Sequence, residues 1–162
     1  MAEIIYLDKE YVRRDEEGLT LVLGYFDGLH LGHLALFEEA LKIKEEKGNK
    51  TAVLLFDSSP AKLLLNGKTS KCLTSLGDKI SLLESIQVDV IYLVHIDMDF
   101  LSSTKGEFLD MLEYSIRAND IVVGEDYTFG RKAEGKGEDL RARYGENAHI
   151  VSLLMDNGLK IS

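Results

Sequence analysis

The sequence is poor in several features that mark particular classes of protein. It has one cysteine, Cys72, among 162 residues, so no internal disulfide can form, which fits a reducing cytoplasm. No apolar run reaches the roughly 18 residues of a membrane-spanning helix, and the first residues lack the basic start and apolar run of a signal peptide. Only one proline, Pro60, is present, and there is no low-complexity linker. We therefore expect one cytoplasmic domain over residues 1–162, with no membrane partner.

Basic residues are also outnumbered. Lysine and arginine total 19 against 28 aspartates and glutamates, which gives a net charge of -9. This balance argues against a general affinity for nucleic acid or for anionic lipid, because the overall field repels both. A small anionic ligand stays compatible with it, since a local site can oppose the field of the whole protein.

Apolar runs of strand length alternate with longer amphipathic segments. The runs predict strands over residues 19–26, 51–57, 89–96, 120–127 and 149–154. The segments between them predict helices over residues 33–48, 75–86, 104–116 and 137–145, and in the first helix Leu34, Phe37, Leu41 and Ile43 recur at helical spacing. Continuous apolar strands separated by helices indicate an α/β fold: a Rossmann-like, doubly wound parallel sheet with flanking helices.

The stretch VLGYFDGLHLGH, residues 22–33, ends the first of these strands and contains two of the four histidines, His30 and His33. Ligands of doubly wound sheets bind beyond the carboxyl ends of the strands. Gly28 and Gly32 allow a tight turn and close approach of a ligand, and the helix that follows aims free N–H groups at it. Imidazoles there can donate hydrogen bonds to phosphate oxygens, which favours chemistry at a nucleotide phosphate. The histidines could instead be helix caps or surface residues; a zinc site is weakly supported, because no cysteine lies nearby.

GYFDGLHLGH resembles the G-x-F-D-G-x-H-x-G-H signature of bacterial FAD synthetases, a version of the H-x-G-H motif of the nucleotidyltransferase superfamily. Further stretches resemble that family in the same order. They are LLFDSSP (54–60), CLTSLGDKISLLESIQVD (72–89), VVGEDYTFGRKAEGKGEDL (122–140) and LKIS (159–162). The resemblance extends over nearly the whole chain from about Leu19 onward.

This resemblance implies an FMN adenylyltransferase, in which ATP and FMN give FAD and pyrophosphate with the help of Mg²⁺. It implies no protein ligand for the metal, and its other roles fall into three sets. The catalytic set is His30, His33 and Asp126; the nucleotide-binding set is Gly24, Phe26, Asp27, Gly28, Gly32 and Ser162; the flavin-binding set is Phe56, Ser59, Pro60 and Phe129.

Some of these residues also have simpler interpretations. Phe56 could be a core residue of its strand, and Asp27 and Asp126 could end strands or cap turns. The segment 131–139 could be a solvated loop or a flap over a nucleotide. His95 and His149 are expected to be structural, and Cys72 has no partner for nucleophilic chemistry at a recognisable spacing.

Two departures from the family pattern keep alternatives open. Ser59 stands where the family motif F-D-P-H-P has its histidine, and the chain ends at Ser162, where S-S-T-x-I-R would continue. We expect no riboflavin kinase module in this chain. The alternatives are a nucleotidyltransferase with another phosphorylated acceptor and a non-catalytic module that binds flavin or nucleotide.

Overall fold

The computed structural model describes residues 2–24, 31–57 and 76–152, together with the backbone of 155–156 and 159–160; of residues 31–33 only the backbone is described. The strands are β1 Glu3–Leu7, β2 Leu19–Leu23, β3 Lys50–Phe56, β4 Val90–Val94, β5 Asp120–Gly124, β6 Ala148–Val151, β7 Met155–Asp156 and β8 Leu159–Lys160. The helices are α1 Leu31–Lys47, α2 Leu76–Ser85, α3 Met98–Leu101, α4 Lys105–Asp110 and α5 Gly137–Tyr144.

Six strands form one parallel sheet in the order β1-β4-β3-β2-β5-β6. The chain runs from β2 outward through β3 to β4, then returns to the other side of β2 for β5 and β6. The strand order therefore reverses between β2 and β5, which is the point where sheets of this kind bind ligands. This arrangement confirms the predicted doubly wound fold.

Each face of the sheet is covered by its own helices. On one face, Leu36, Ala40 and Ile43 of α1 and Leu83 of α2 are buried against alternate residues of the central strands. On the other face, α4, the π-helical turn Met111–Ser115 and α5 bury Phe108, Leu112, Ile116 and Leu140. Strands covered on both sides need apolar residues at every position, which is why they appear as unbroken apolar runs in the sequence.

The expected apolar face of α1 was wrong in part. Leu34 and Leu41 are 37% and 52% exposed, whereas Leu36 and Ala40 contact the sheet. The helix carries two neighbouring apolar stripes. The stripe that contains Leu36, Ala40 and Ile43 is the buried one.

Strand β1 and helix α3 were not predicted. β1 is short and lies at the edge of the sheet beside β4, and its residues alternate between partly buried Ile5 and Leu7 and exposed Ile4 and Tyr6. Such a half-exposed edge strand between charged residues gives only a weak apolar signal. The predicted helix over 104–116 is also interrupted, since α4 passes into a π-helical turn in which Ile116 N–H donates to Met111 O at 3.0 Å.

A buried arginine joins the chain before β2 to the end of that turn. Arg13 is 6% exposed. Its guanidinium donates to the carbonyls of Ile116, Arg117 and Glu17 at 2.7, 2.8 and 2.9 Å and also pairs with the Asp15 carboxylate. The planar fork thus satisfies several carbonyls near a helix end that have no helical N–H partner.

None of the helices in the described ranges combines the length and the apolar character needed to cross a bilayer.

Candidate active site

The carboxyl ends of β2 and β5 lie side by side at the reversal point. Leu23 is in register with Val123, so Gly24 and Gly124 follow at the same level of the sheet, and both are buried. Helix α1 begins at Leu31 after β2, and its first N–H groups therefore lie at this edge. A helix of 17 residues presents unpaired donors and the positive end of its dipole there, which suits an anion.

The structure describes only part of the histidine motif. Phe26, Asp27, Gly28 and His30 lie outside the described residues. Gly32 and His33 are in the first turn of α1, where the backbone alone is described. Their assignment to the nucleotide phosphates stays a prediction, and so does that of Ser59, Pro60 and Ser162, which lie outside the described residues as well.

Asp126 is placed at the reversal point by a turn that ends β5 earlier than predicted. Tyr127 N–H donates to Gly124 O at 3.1 Å, and Glu125 N–H donates to Val151 O at 3.1 Å. Asp126 is exposed in this turn, one strand away from the end of β2. The described structure thus brings Asp126 and the start of α1 to the same edge of the sheet.

Phe56 and Phe129 both belong to a chain of aromatic side chains on the face that carries α4. Phe56 packs against Phe100 with ring centroids 5.5 Å apart, and Phe129 stacks on Phe108 at 4.8 Å. Phe100 and Phe108 connect the two pairs at 6.5 Å. Phe56 and Phe129 are 7% and 4% exposed, so both rings are core residues in this conformation. Any contact with a flavin would use the edges of this aromatic chain.

The segment that follows Phe129 is anchored rather than merely solvated. Phe129 and Gly135 exchange backbone hydrogen bonds of 3.1 and 2.8 Å, and Arg131 N–H donates to Ser103 O at 2.7 Å. Gly135 must be glycine, because a Cβ there would lie 2.3 Å from the Phe129 ring. Lys105 Nζ lies 3.1 Å from Asp139, whose charge and hydrogen bond raise the pKa of Lys105. The loop therefore has a defined place beside the aromatic chain.

A histidine–aspartate pair, Asp57 with His95, lies at the ends of β3 and β4. His95 Nδ1 is 2.6 Å from Asp57 Oδ2, and Asp57 Oδ1 accepts the N–H of Ile96 at 3.0 Å. The hydrogen bond and the charge of Asp57 raise the pKa of His95. The sequence predicted a structural role for His95 and did not predict its pairing with Asp57. The signal was available, since both residues fall at the ends of predicted parallel strands.

A second pair, Asp120 with His149, lies at the opposite, amino edge. His149 Nε2 is 2.9 Å from Asp120 Oδ2, and Lys47 and Asn49 donate to the same carboxylate at 2.8 and 3.0 Å. Burial alone would raise the pKa of Asp120, but the hydrogen bonds from Lys47 and His149 outweigh burial and lower it. This network agrees with a structural role for His149.

No metal site can be assembled from the described residues. Across the side chains described, those of residues 2–24, 34–57 and 76–152, no group of three His, Cys, Asp or Glu is placed to hold a metal ion.

Comparison with known proteins identifies close similarity along most of the chain. The model of the FAD synthetase family matches residues 12–162. A bifunctional riboflavin kinase/FMN adenylyltransferase of Listeria monocytogenes is 38% identical over 136 residues, which cover 83% of this chain and 43% of that protein. A Bacillus subtilis protein of the same name is 33% identical over 156 residues, with coverage of 93% and 49%.

A solved structure has the same fold. A crystal structure from Streptococcus pneumoniae, titled a macrolide-efflux protein, superposes with a TM-score of 0.83 at 28% identity and covers 99% of this chain and 62% of that one. The chain spans about half the length of the curated relatives that it matches.

Proposed function

Because this chain belongs to the FAD synthetase family, we propose that it transfers the adenylyl group of ATP to FMN, giving FAD and pyrophosphate. The observation that supports the proposal is that β2 ends and α1 begins at the edge where the strand order reverses. The family's histidine motif is the stretch of sequence that joins these two elements. A helix N-terminus at such an edge suits chemistry on a nucleotide phosphate, because its free N–H groups can bind an anion.

The reaction follows from these groups. An oxygen of the FMN phosphate attacks the α-phosphorus of ATP, the new P–O bond forms, and the bond to the β-phosphate breaks to release pyrophosphate. His30 and His33 donate hydrogen bonds to the phosphate oxygens and stabilise the charge of the transition state. The first N–H groups of α1 contribute to the same anion site, together with Gly24, Phe26, Asp27, Gly28 and Gly32 in the nucleotide loop.

The acceptor side is assigned to residues on and after β3 and β5. Asp126 orients the phosphates from the turn after β5, whereas the hydroxyl of Ser162 is assigned to the nucleotide side, as a donor to the phosphates of ATP. Phe56, Ser59, Pro60 and Phe129 are assigned to the flavin side, and because the rings of Phe56 and Phe129 are buried, a flavin would contact only the edges of the aromatic chain.

Magnesium is proposed as the partner of ATP rather than as a resident metal. The phosphate oxygens of the nucleotide are the ligands we assign to it. Bound there, Mg²⁺ would supply charge neutralisation to the phosphates and the leaving pyrophosphate.

The test is direct. The protein is incubated with Mg-ATP and FMN, and FAD and pyrophosphate are measured. We expect FAD to form, and we expect His30→Ala and His33→Ala each to reduce kcat by about 10²–10³-fold, the effect of removing one donor to a developing charge. His149→Gln, at the other edge of the sheet, is the matched control and keeps the wild-type rate. FMN binding without FAD formation would favour the binding module instead, and near wild-type rates in both alanine variants would refute the phosphate role.

A further inference from the structure

The pair Asp57 with His95 lies at the edge that holds the proposed site, yet neither residue has a role in the mechanism above. We propose that His95, oriented by Asp57, binds the phosphate group of the acceptor mononucleotide. The inference rests on the proposed function, since it assigns a contact to the second substrate of that reaction.

The position of His95 in the sheet supports this contact. It directly follows β4, and β3 alone separates β4 from β2. Neighbouring strands lie about 4.8 Å apart, so the ends of β2 and β4 are about 10 Å apart. The acceptor phosphate must approach the α-phosphorus to about 3–3.5 Å. If the α-phosphate lies at the start of α1, the acceptor phosphate lies between the two strand ends, within reach of a side chain from β4.

The hydrogen bonds of the pair leave one ring nitrogen for a ligand. Nδ1 is bonded to Asp57, and the side chain of His95 is 75% exposed, so Nε2 is accessible to a small molecule. A carboxylate at Nδ1 fixes the orientation of the ring, as it does for histidines that bind metals. The protonated ring then donates its Nε2 hydrogen to an anionic oxygen, a charge-assisted bond.

The surrounding charges favour the protonated form of the imidazole. Asp57 and Asp97 are the acidic residues that raise the pKa of His95. Each carboxylate already has backbone donors of its own, since Asp57 accepts from Ile96 and Asp97 accepts from Phe100 N–H at 2.8 Å. Asp99, on the same short helix, lies 3.7 Å from Lys9.

Stability alone does not account for the exposed ring. The bond from Ile96 N–H to Asp57 already joins the ends of β3 and β4, as does the 3.0 Å bond from Asp57 N–H to Val94 O. An exposed ion pair adds little to folding. The imidazole is therefore dispensable for the fold but well placed for a ligand.

Equilibrium binding tests the contact without requiring turnover. Quenching of flavin fluorescence gives the affinity for FMN and for riboflavin, which lacks the phosphate. We expect His95→Gln to weaken FMN binding about 5–10-fold, the effect of losing one charge-assisted hydrogen bond at an exposed site, and to leave riboflavin binding unchanged. His149→Gln should change neither.

The pH dependence separates binding from a merely structural role. Because the hydrogen bond and the charge of Asp57 raise the pKa of His95, the ring keeps its proton to a higher pH than an ordinary histidine and loses it as the pH rises through that pKa. FMN affinity should therefore fall above that pH. Asp57→Asn keeps an acceptor for the N–H of Ile96 but removes the negative charge, so FMN affinity should begin to fall at a lower pH than in the wild type. In His95→Gln, this fall of FMN affinity with pH should be absent.

The outcomes of these experiments distinguish the role of His95 from the proposed adenylyl transfer. A selective loss of FMN affinity with the shifted pH profile supports the inference, even if no FAD forms and the proposed reaction fails. FAD formation with equal FMN affinity in wild type and His95→Gln, or with equal losses for FMN and riboflavin, overturns the inference and leaves the reaction standing. Failure of the wild-type protein to bind FMN overturns both.

Discussion

Two histidine–aspartate pairs among the described residues occupy opposite edges of one sheet and have opposite surroundings. At the amino edge, the Asp120 carboxylate is 2% exposed and is hydrogen-bonded to Lys47, Asn49 and His149. At the carboxyl edge, Asp57 is 30% exposed, and the side chain of its partner His95 is 75% exposed. Asp120 and His149 thus form part of a buried hydrogen-bond network, whereas Asp57 pairs with a histidine ring that is exposed to solvent. Exposure and the number of partners distinguish them, not the residue types.

The largest effect on stability is expected at Asp120. Asp120→Asn removes the charge that pairs with Lys47 inside the network, and we expect a loss of about 2–3 kcal/mol in unfolding free energy at pH 7. Asp57→Asn should cost much less, because its pair is largely hydrated. Urea unfolding of both variants measures the difference, and equal losses would remove the distinction between the edges.

Acidification sharpens this prediction. The folded-state pKa of Asp120 lies below the ordinary value of 3.8. Its carboxylate therefore stabilises the fold above that ordinary value, and the contribution disappears as the pH falls through the lower, folded-state pKa. The stability gap between wild type and Asp120→Asn should narrow below pH 3.8. A gap of constant size would mean that the charge of Asp120 contributes nothing.

The next largest loss of stability is expected at Gly135, in the loop that follows β5. Gly135→Ala would place a methyl group against the Phe129 ring, and overpacking of this kind costs about 2 kcal/mol. Gly77→Ala is the matched control, because Gly77 lies in α2 with open space around its Cβ position and alanine favours a helix. Thermal unfolding compares the two. An unchanged melting temperature in Gly135→Ala would show that the loop moves to accommodate the methyl group.

The smallest effect is expected from His149. His149→Gln removes one of several donors to Asp120, so the expected loss is about 1 kcal/mol in unfolding free energy. FMN affinity should not change, since the residue lies at the edge away from the proposed site. A clear loss of FMN affinity would show that the two edges do not have separate roles.

The sequence predicted the sheet well because its central strands are buried on both faces and thus uniformly apolar. The bounds predicted for the strands over 51–57 and 89–96 differ from those of β3 and β4 by only one or two residues. β1 was missed because its alternating exposure resembles an ordinary polar segment. The buried stripe of α1 was misjudged because periodicity finds a helix more easily than it chooses between two adjacent apolar stripes.

The site was predictable to different degrees. The predicted strands over 19–26 and 120–127 included Gly24 and Asp126, whereas β2 ends at Leu23 and β5 at Gly124, and the structure brings these two ends to one edge. Phe129 is buried against Phe108, which lies in α4 and is distant in the sequence. The sequence around Phe129 therefore could not predict this burial. The pairing of Asp57 with His95 likewise requires knowing that β3 and β4 are neighbours.

The buried guanidinium of Arg13 links segments that are about a hundred positions apart along the chain. It donates to carbonyls of Ile116 and Arg117 on one side and of Glu17 on the other. If the segment around Arg13 detached, these acceptors would lose their donor at the same moment, so opening at either end favours opening at the other. Amide hydrogens around residues 13–17 and around Ile116 and Arg117 should consequently exchange with deuterium as one cooperative unit.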